Sequence, residues 1–150
     1  MISHVLVAVD GSTPAMSAVD LASDLASKYE AKLTLMYVVK ENEVSLLPKE
    51  LLSLLGGESS HRSPADVPHD VVHEILSRAE TRAKDKGVKD VQSVLEAGDP
   101  ASRIVKFASD KDVSMIVMGH RGLSDLQGVL IGSVSHKVLH LASCPCLTVK

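Results

Sequence analysis

The chain has no tryptophan, one phenylalanine and two tyrosines, so aromatics make up 2% of its 150 residues. With only Tyr29, Tyr37 and Phe107 available, it has no platform on which single-stranded bases could stack. A planar ligand would have to be held by aliphatic side chains and backbone. A basic surface is missing too: the net charge is −3 and the pI near 6.1, which argues against a nucleic-acid partner. Cysteine is scarce. Cys144 and Cys146 flank a single proline, and a bridge across one residue of an extended strand would be badly strained, so reduced thiols are expected. A C-x-C metal site would have no further cysteine to complete it. No apolar run approaches the ~18 residues of a spanning helix. The apolar stretch "SHVLVAV" has no basic flank before it, so no signal peptide is expected, and the expected location is the cytoplasm.

What the chain does have is an alternation of short apolar runs and helical periods. "HVLVAV" (4–9) is continuous and β-branched, as in a strand buried on both faces. "DGSTP" follows, with Ser12 or Thr13 as helix N-cap and Pro14 opening the helix. Ala15, Ala18, Val19, Ala22, Leu25, Ala26 and Tyr29 then fall on one helical face. "KLTLMYVV" (32–39) is a second strand. The stretch 40–69, with two glycines and two prolines after a short helical run at 48–55, reads as a long insertion. Val72, Ile75, Leu76, Ala79 and Ala83 restore the helical period up to Gly87, a C-cap. Residues 88–98 form a more amphipathic, edge-like strand. Asp99 caps and Pro100 opens the next helix, with Ile104, Val105 and Ala108 inward. "SMIVMG" (114–119) is another buried strand. A helix over 133–142, with Val134, Val138, Leu141 and Ala142 inward, precedes a last strand, "CLTVK" (146–150).

This order predicts a single α/β domain over 1–150: an open, parallel five-stranded sheet with helices on both faces, Rossmann-like or flavodoxin-like. Ligands of such sheets sit at the carboxyl ends of the strands, near the switch in strand order. Two loops leaving those ends carry special residues, "DGS" after the first strand and the glycine-rich "GHRGLSDLQGVLIGS" (119–133) after the fourth. They are expected to be neighbours.

In the second loop Gly119 ends a strand where a backbone must come close to something, Gly122 eases a turn, and Gly132-Ser133 opens a helix, with Ser133 as a natural N-cap. A helix N-terminus favours an anion such as phosphate. Ser133 and Ser135 could add hydroxyl donors, and Arg121 and Lys137 add positive charge. The same spacing also fits an ordinary βα loop, because glycine and serine are common in turns and caps. Neither G-x-x-x-x-G-K-[ST] nor a G-x-G-x-x-G after the first strand is present.

The loop matches G-x2-G-x9-G-[ST] and so resembles the nucleotide signature of the universal stress protein family. "VLVAVDGS" and "SCPCLTVK" resemble that family's opening and closing strands. The resemblance spans essentially the whole chain, 40–69 being its least constrained part, and points to the ATP-binding subgroup. It implies that Asp10 lies by the ribose or adenine, that Ala8 and Val38 flank the adenine, and that Met118 and Gly119 end the fourth strand beside it. Gly119, Arg121 and Gly122 would wrap the phosphates, and Gly132, Ser133, Val134 and Ser135 would cradle them from the helix side. Mg²⁺ would ride on the phosphates. Val38 and Met118 could sandwich a purine by dispersion. Asp10, before Gly-Ser, also fits a plain turn or cap residue.

The resemblance further implies a homodimer through antiparallel pairing of Cys146–Lys150, with tetramers open, and a regulatory partner such as a membrane transporter. A paired terminal edge would also answer the exposed-strand problem. His69 with His73 and His136 with His140 have the i,i+4 spacing of zinc ligands, but without a third ligand solvent-facing histidines are expected. Asp10 could bind Mg²⁺ or orient water and His120 lies near the phosphates, yet no constellation specifies turnover. The expected function is therefore an ATP-binding regulator or sensor of the stress response, with a slow ATPase or a nucleotide-independent dimeric module as alternatives. An FMN carrier lacks aromatics to stack the flavin, and a phospho-acceptor receiver lacks an acidic pair after the first strand.

Overall fold

The computed structural model describes residues 1–40, 69–122 and 132–150. The insertion read over 40–69, with its short helix at 48–55, lies outside the described residues apart from its end positions 40 and 69, and so do residues 123–131 of the glycine-rich loop. In chain order the elements are β1 (His4–Ala8), α1 (Thr13–Tyr29), β2 (Lys32–Val39), α2 (His69–Asp85), β3 (Val91–Ala97), α3 (Pro100–Asp110), β4 (Met115–Gly119), α4 (Ser133–Leu141) and β5 (Cys146–Val149). The five strands form one parallel sheet in the order β3-β2-β1-β4-β5. β3 lies on an edge, as its amphipathic sequence predicts.

The chain leaves β1 toward β2 and β3 on one side and later returns to place β4 on the other. The switch in strand order thus falls between β1 and β4, which pair with Ala8 opposite Met118. That pairing brings "DGS" and the described ends of the glycine-rich loop together at the carboxyl edge, as expected.

Side-chain alternation divides the core. Val5 and Val7 of β1, with Leu33 and Leu35 of β2, face Ala18, Val19, Ala22 and Ala26 of α1 and Val72, Leu76, Ala79 and Ala83 of α2. Leu6, Met36, Ile116 and Met118 face Ala101, Ile104 and Ala108 of α3 and Val138 of α4. Both faces are covered, which is why β1, β2 and β4 read as unbroken apolar runs. Gly87, at φ +82, turns the chain out of α2.

Two residues expected inward are exposed. Tyr29 is 48% exposed at the last turn of α1, where the helix passes the sheet. Leu141 is 60% exposed because α4 ends there and Ala142 departs with extended backbone, φ −69 and ψ 138. Among the described residues no helix is long and apolar enough to cross a membrane.

Both cysteines are free thiols, half-buried against the α3–α4 face of the sheet. Burial pushes the Cys144 thiol up. Burial, and then the neighbouring Cys144, push Cys146 up to about 11. Since the thiolate is the nucleophile, iodoacetamide at pH 8 is expected to alkylate the native protein far more slowly than the urea-unfolded chain. Equal rates by mass spectrometry would show that the thiols are not shielded in this way.

Candidate functional site

A cavity of about 780 Å³ opens at the carboxyl edge over the β1–β4 switch. Its floor is the ends of three strands: Ala8, Val9 and Asp10 after β1, Met36, Tyr37 and Val38 in β2, and Met118 and Gly119 in β4. One side is the start of α4, with Ser133, Val134, Ser135 and Lys137, next to Arg121 and Gly122. The other is the β3–α3 connection, Gly98 to Ala101, backed by Ile104. The structure gathers Ala8, Asp10, Val38, Met118, Gly119, Arg121, Gly122, Ser133, Val134 and Ser135 around this space. Gly132 is not on its wall; it is buried behind Ser133, its N–H donating to His120 O at 2.7 Å.

Three helices, α1, α3 and α4, bring their N-termini to this cavity, and those N-termini differ. At α1, Ser12 is the N-cap and its Oγ accepts from Ala15 N at 3.3 Å. Asp10 Oδ1 in turn accepts from Ser12 N at 2.9 Å, so its carboxylate does build the turn while also lining the cavity. At α3, Asp99 Oδ2 accepts from Ser102 N at 3.0 Å and Ser102 Oγ at 2.7 Å. These bonds, and then Lys137, hold the Asp99 carboxyl below the usual carboxylate range. At α4 no side chain among the described residues makes a cap bond. The first N–H groups of a helix have no partner within it, and those of α4 are left to face whatever enters.

The N-cap of α4 is Gly132, with φ −66 and ψ 155, not Ser133 as expected; Ser133 is the first helical residue and is exposed. The shift matters because a glycine cap supplies no oxygen of its own. Ser135 also departs from expectation. It is buried, and its hydroxyl donates to Gly119 O at 2.9 Å, with His120 O at 3.3 Å, so its single proton joins α4 to the end of β4. What Ser135 offers the cavity is its backbone N–H.

Gly119 meets the close approach expected of it, but from the protein itself. A Cβ at 119 would lie 2.9 Å from Ala15 N and 3.0 Å from both Pro14 C and Arg121 O. The first turn of α1 thus presses directly on the end of β4.

Of the charged groups on the wall, Lys40, Asp99 and Lys137 were not placed in the site by the sequence reading, although Lys137 was read as positive charge nearby. "GDP" carried the missed signal: like "DGS", it caps a helix directly after a strand and so must sit on the same edge. Lys137 Nζ stands 3.6 Å from Asp99 Oδ1, joining α4 to the head of α3. Arg121 Nε is buried with no hydrogen-bond partner among the described residues. His120 faces away from a catalytic role: its N–H and its Nδ1 both reach Val149 O, at 2.7 and 3.1 Å, fastening β4 to β5. His136 and His140 are exposed, their rings edge to face at 5.0 Å. Among the described residues no three His, Cys, Asp or Glu side chains gather as metal ligands.

An apolar slot ending in an open helix N-terminus suits a flat apolar ring joined to an anionic tail. The comparisons with known proteins agree with this geometry. The model of the universal stress protein family matches residues 1–150. The chain is 35% identical over 158 residues to the universal stress protein YxiE of Bacillus subtilis, covering 100% of both chains. Among solved structures it resembles a universal stress protein in complex with cAMP, at TM-score 0.72 and 26% identity over 99% of this chain and 96% of that one. It also resembles the hypothetical protein MJ0577, at TM-score 0.74 and 25% identity over 100% and 96% of the two chains. On its fold, its carboxyl-edge cavity and a match along its full length, this chain belongs to the universal stress protein family.

Proposed function

We propose that this protein binds ATP in the carboxyl-edge cavity and acts as a nucleotide-dependent regulator of the stress response rather than as an enzyme. The observation that carries the reading is the start of α4: it lines the cavity, so its dipole and the N–H groups of its first turn, Ser133, Val134 and Ser135, are offered there, with no side-chain cap among the described residues. The N-termini of α1 and α3 beside the same cavity are capped by Ser12 and Asp99. The polyphosphate therefore lies on α4, with Arg121 and Gly122 beside it, and the adenine lies against Ala8, Val38 and Met118. Asp10 stands at the β1 end of the slot, where it reaches the ribose or the base edge. A similar family member in complex with cAMP supports an adenine nucleotide as the ligand class. Mg²⁺ enters on the phosphates, held at most by Asp10 from the protein side.

Among the described residues the groups that could serve as a base are already engaged: His120 Nδ1 with Val149 O, Asp10 with Ser12 N, and Asp99 with Ser102 N and Lys137. Bound ATP is therefore expected to persist. Denaturing the purified protein and identifying the released nucleotide tests this directly. Intact ATP supports the sensor, ADP would favour a slow ATPase, and FMN would overturn both. Material shown to be nucleotide-free should then bind ATP with Mg²⁺ by calorimetry, and no heat at millimolar ATP would end the reading.

A second reading, a dimeric interaction module, rests on β5, which is an edge strand among the described residues. Leu147 of that strand and Leu141 at the end of α4 are 36% and 60% exposed beside it. A twin chain pairing antiparallel along Cys146–Lys150 would satisfy the edge and cover both leucines. Such a dimer, or a partner such as a transporter, would then sense nucleotide occupancy.

A further inference from the structure

Lys137 lies one helical turn beyond Ser133, so its side chain stands on the same face of α4 and points back toward the helix N-terminus. There its ammonium meets Asp99 Oδ1 at 3.6 Å, an ion-pair distance too long for a good N–H···O bond. The two partners are not equally free. Asp99 is fixed at the head of α3 through its other oxygen, which holds both Ser102 N and Ser102 Oγ. Lys137 is a long stem with its side chain 60% exposed and no second ion-pair partner among the described residues. Exposed pairs of this kind are weak. A polyphosphate on the α4 N-terminus brings several negative charges within reach of the same ammonium.

We propose that Asp99 and Lys137 form a charge-exchange clasp that sets how strongly the cavity prefers a triphosphate to the bare nucleoside. The proposal rests on the nucleotide reading given above. When a triphosphate binds, Lys137 leaves Asp99 for the tail, and the fixed Asp99 carboxylate is left facing it. Asp99 then opposes binding in two ways, by competing for the lysine and by repelling the tail, whereas a nucleoside without phosphate leaves the pair closed. Asp99 is thus a specificity-determining residue acting largely through Lys137, and the family's glycine signature does not include either residue.

The test is a double-mutant cycle read as the ratio of ATP to adenosine dissociation constants, by calorimetry at low salt. Asp99→Asn keeps the cap on α3, since asparagine caps as well as aspartate. Lys137→Met keeps the aliphatic stem. Asp99→Asn is expected to favour ATP over adenosine by a further ~3- to 10-fold, and Lys137→Met to disfavour it by about as much. In the Lys137→Met background the gain from Asp99→Asn should shrink to the repulsion alone, so the two changes are non-additive. All differences should narrow at 0.5 M salt, a concentration on the order of the ~1 M at which screening reaches ~3 Å. A ratio unchanged in the single variants, or strictly additive effects, overturns the clasp while leaving ATP binding intact. A wild-type protein that binds no ATP overturns the nucleotide reading itself and the clasp with it.

Discussion

Gly132→Asp is expected to leave the protein folded and to abolish ATP binding. The backbone of Gly132, φ −66 and ψ 155, is nearly that of Ser12, φ −67 and ψ 156, which caps α1 through its side chain. An aspartate at 132 can therefore reach the N–H groups of the first turn of α4, as Ser12 reaches Ala15 N. Aspartate is among the best N-caps, and replacing glycine there is worth a few tenths of a kcal/mol to the fold. The same carboxylate would occupy the donors that the phosphates need and set a like charge against them. Like-charge juxtaposition costs several kcal/mol, so affinity should fall by about 100-fold or more. Calorimetry with ATP and a thermal melt measure the two halves of this expectation. Unchanged affinity with the cap in place would move the anion away from α4.

Gly119→Ala should do the opposite, harming the fold more directly than the ligand. Its new Cβ would meet Ala15 N, Pro14 C and Arg121 O at 2.9 to 3.0 Å, and all three are backbone atoms that cannot rotate aside. Overpacking of this kind typically costs 1–3 kcal/mol; about 2 kcal/mol is expected here. For a chain of this size that is a melting temperature lower by about 6 °C. Melting within a degree of wild type would show that α1 can slide away from β4 without cost. The pair of substitutions separates two glycines that look alike in the motif: one is small because the protein's own helix is pressed against it, the other because a cap oxygen there would fill the anion's place.

That distinction was not legible in the sequence, and the reason is physical. Local patterns carried β1, β2, β4 and their helices, because strands buried on both faces are unbroken apolar runs and helices on a sheet show one apolar stripe. The neighbourhood of β1 and β4 followed from the connection order. Contacts between residues far apart in the chain did not follow. Nothing near Gly119 announces that Pro14 and Ala15 lie against it. Nothing near Lys137 announces Asp99, because the two meet only after α3 and α4 have been laid side by side on the same face. The Ser133 expectation failed by one position for a related reason: cap preference ranks serine high, but the backbone leaves β4 so that Gly132 takes the cap geometry. Tyr29 and Leu141 kept the helical period and missed the sheet, since periodicity does not say where the sheet ends.

The hydroxyl of Ser135 sets the terms on which an anion is met. By donating to Gly119 O, with His120 O also near, it moors the first turn of α4 to the strand beside it through a bond that owes nothing to the ligand. The amides of that turn thus hold their aim through the protein's own bonds. A guest finds its donors already oriented, and the ordering entropy that often weakens association is spent during folding instead. Sensitivity to nucleotide concentration would then reflect charge and fit at the cavity, not the work of assembling it.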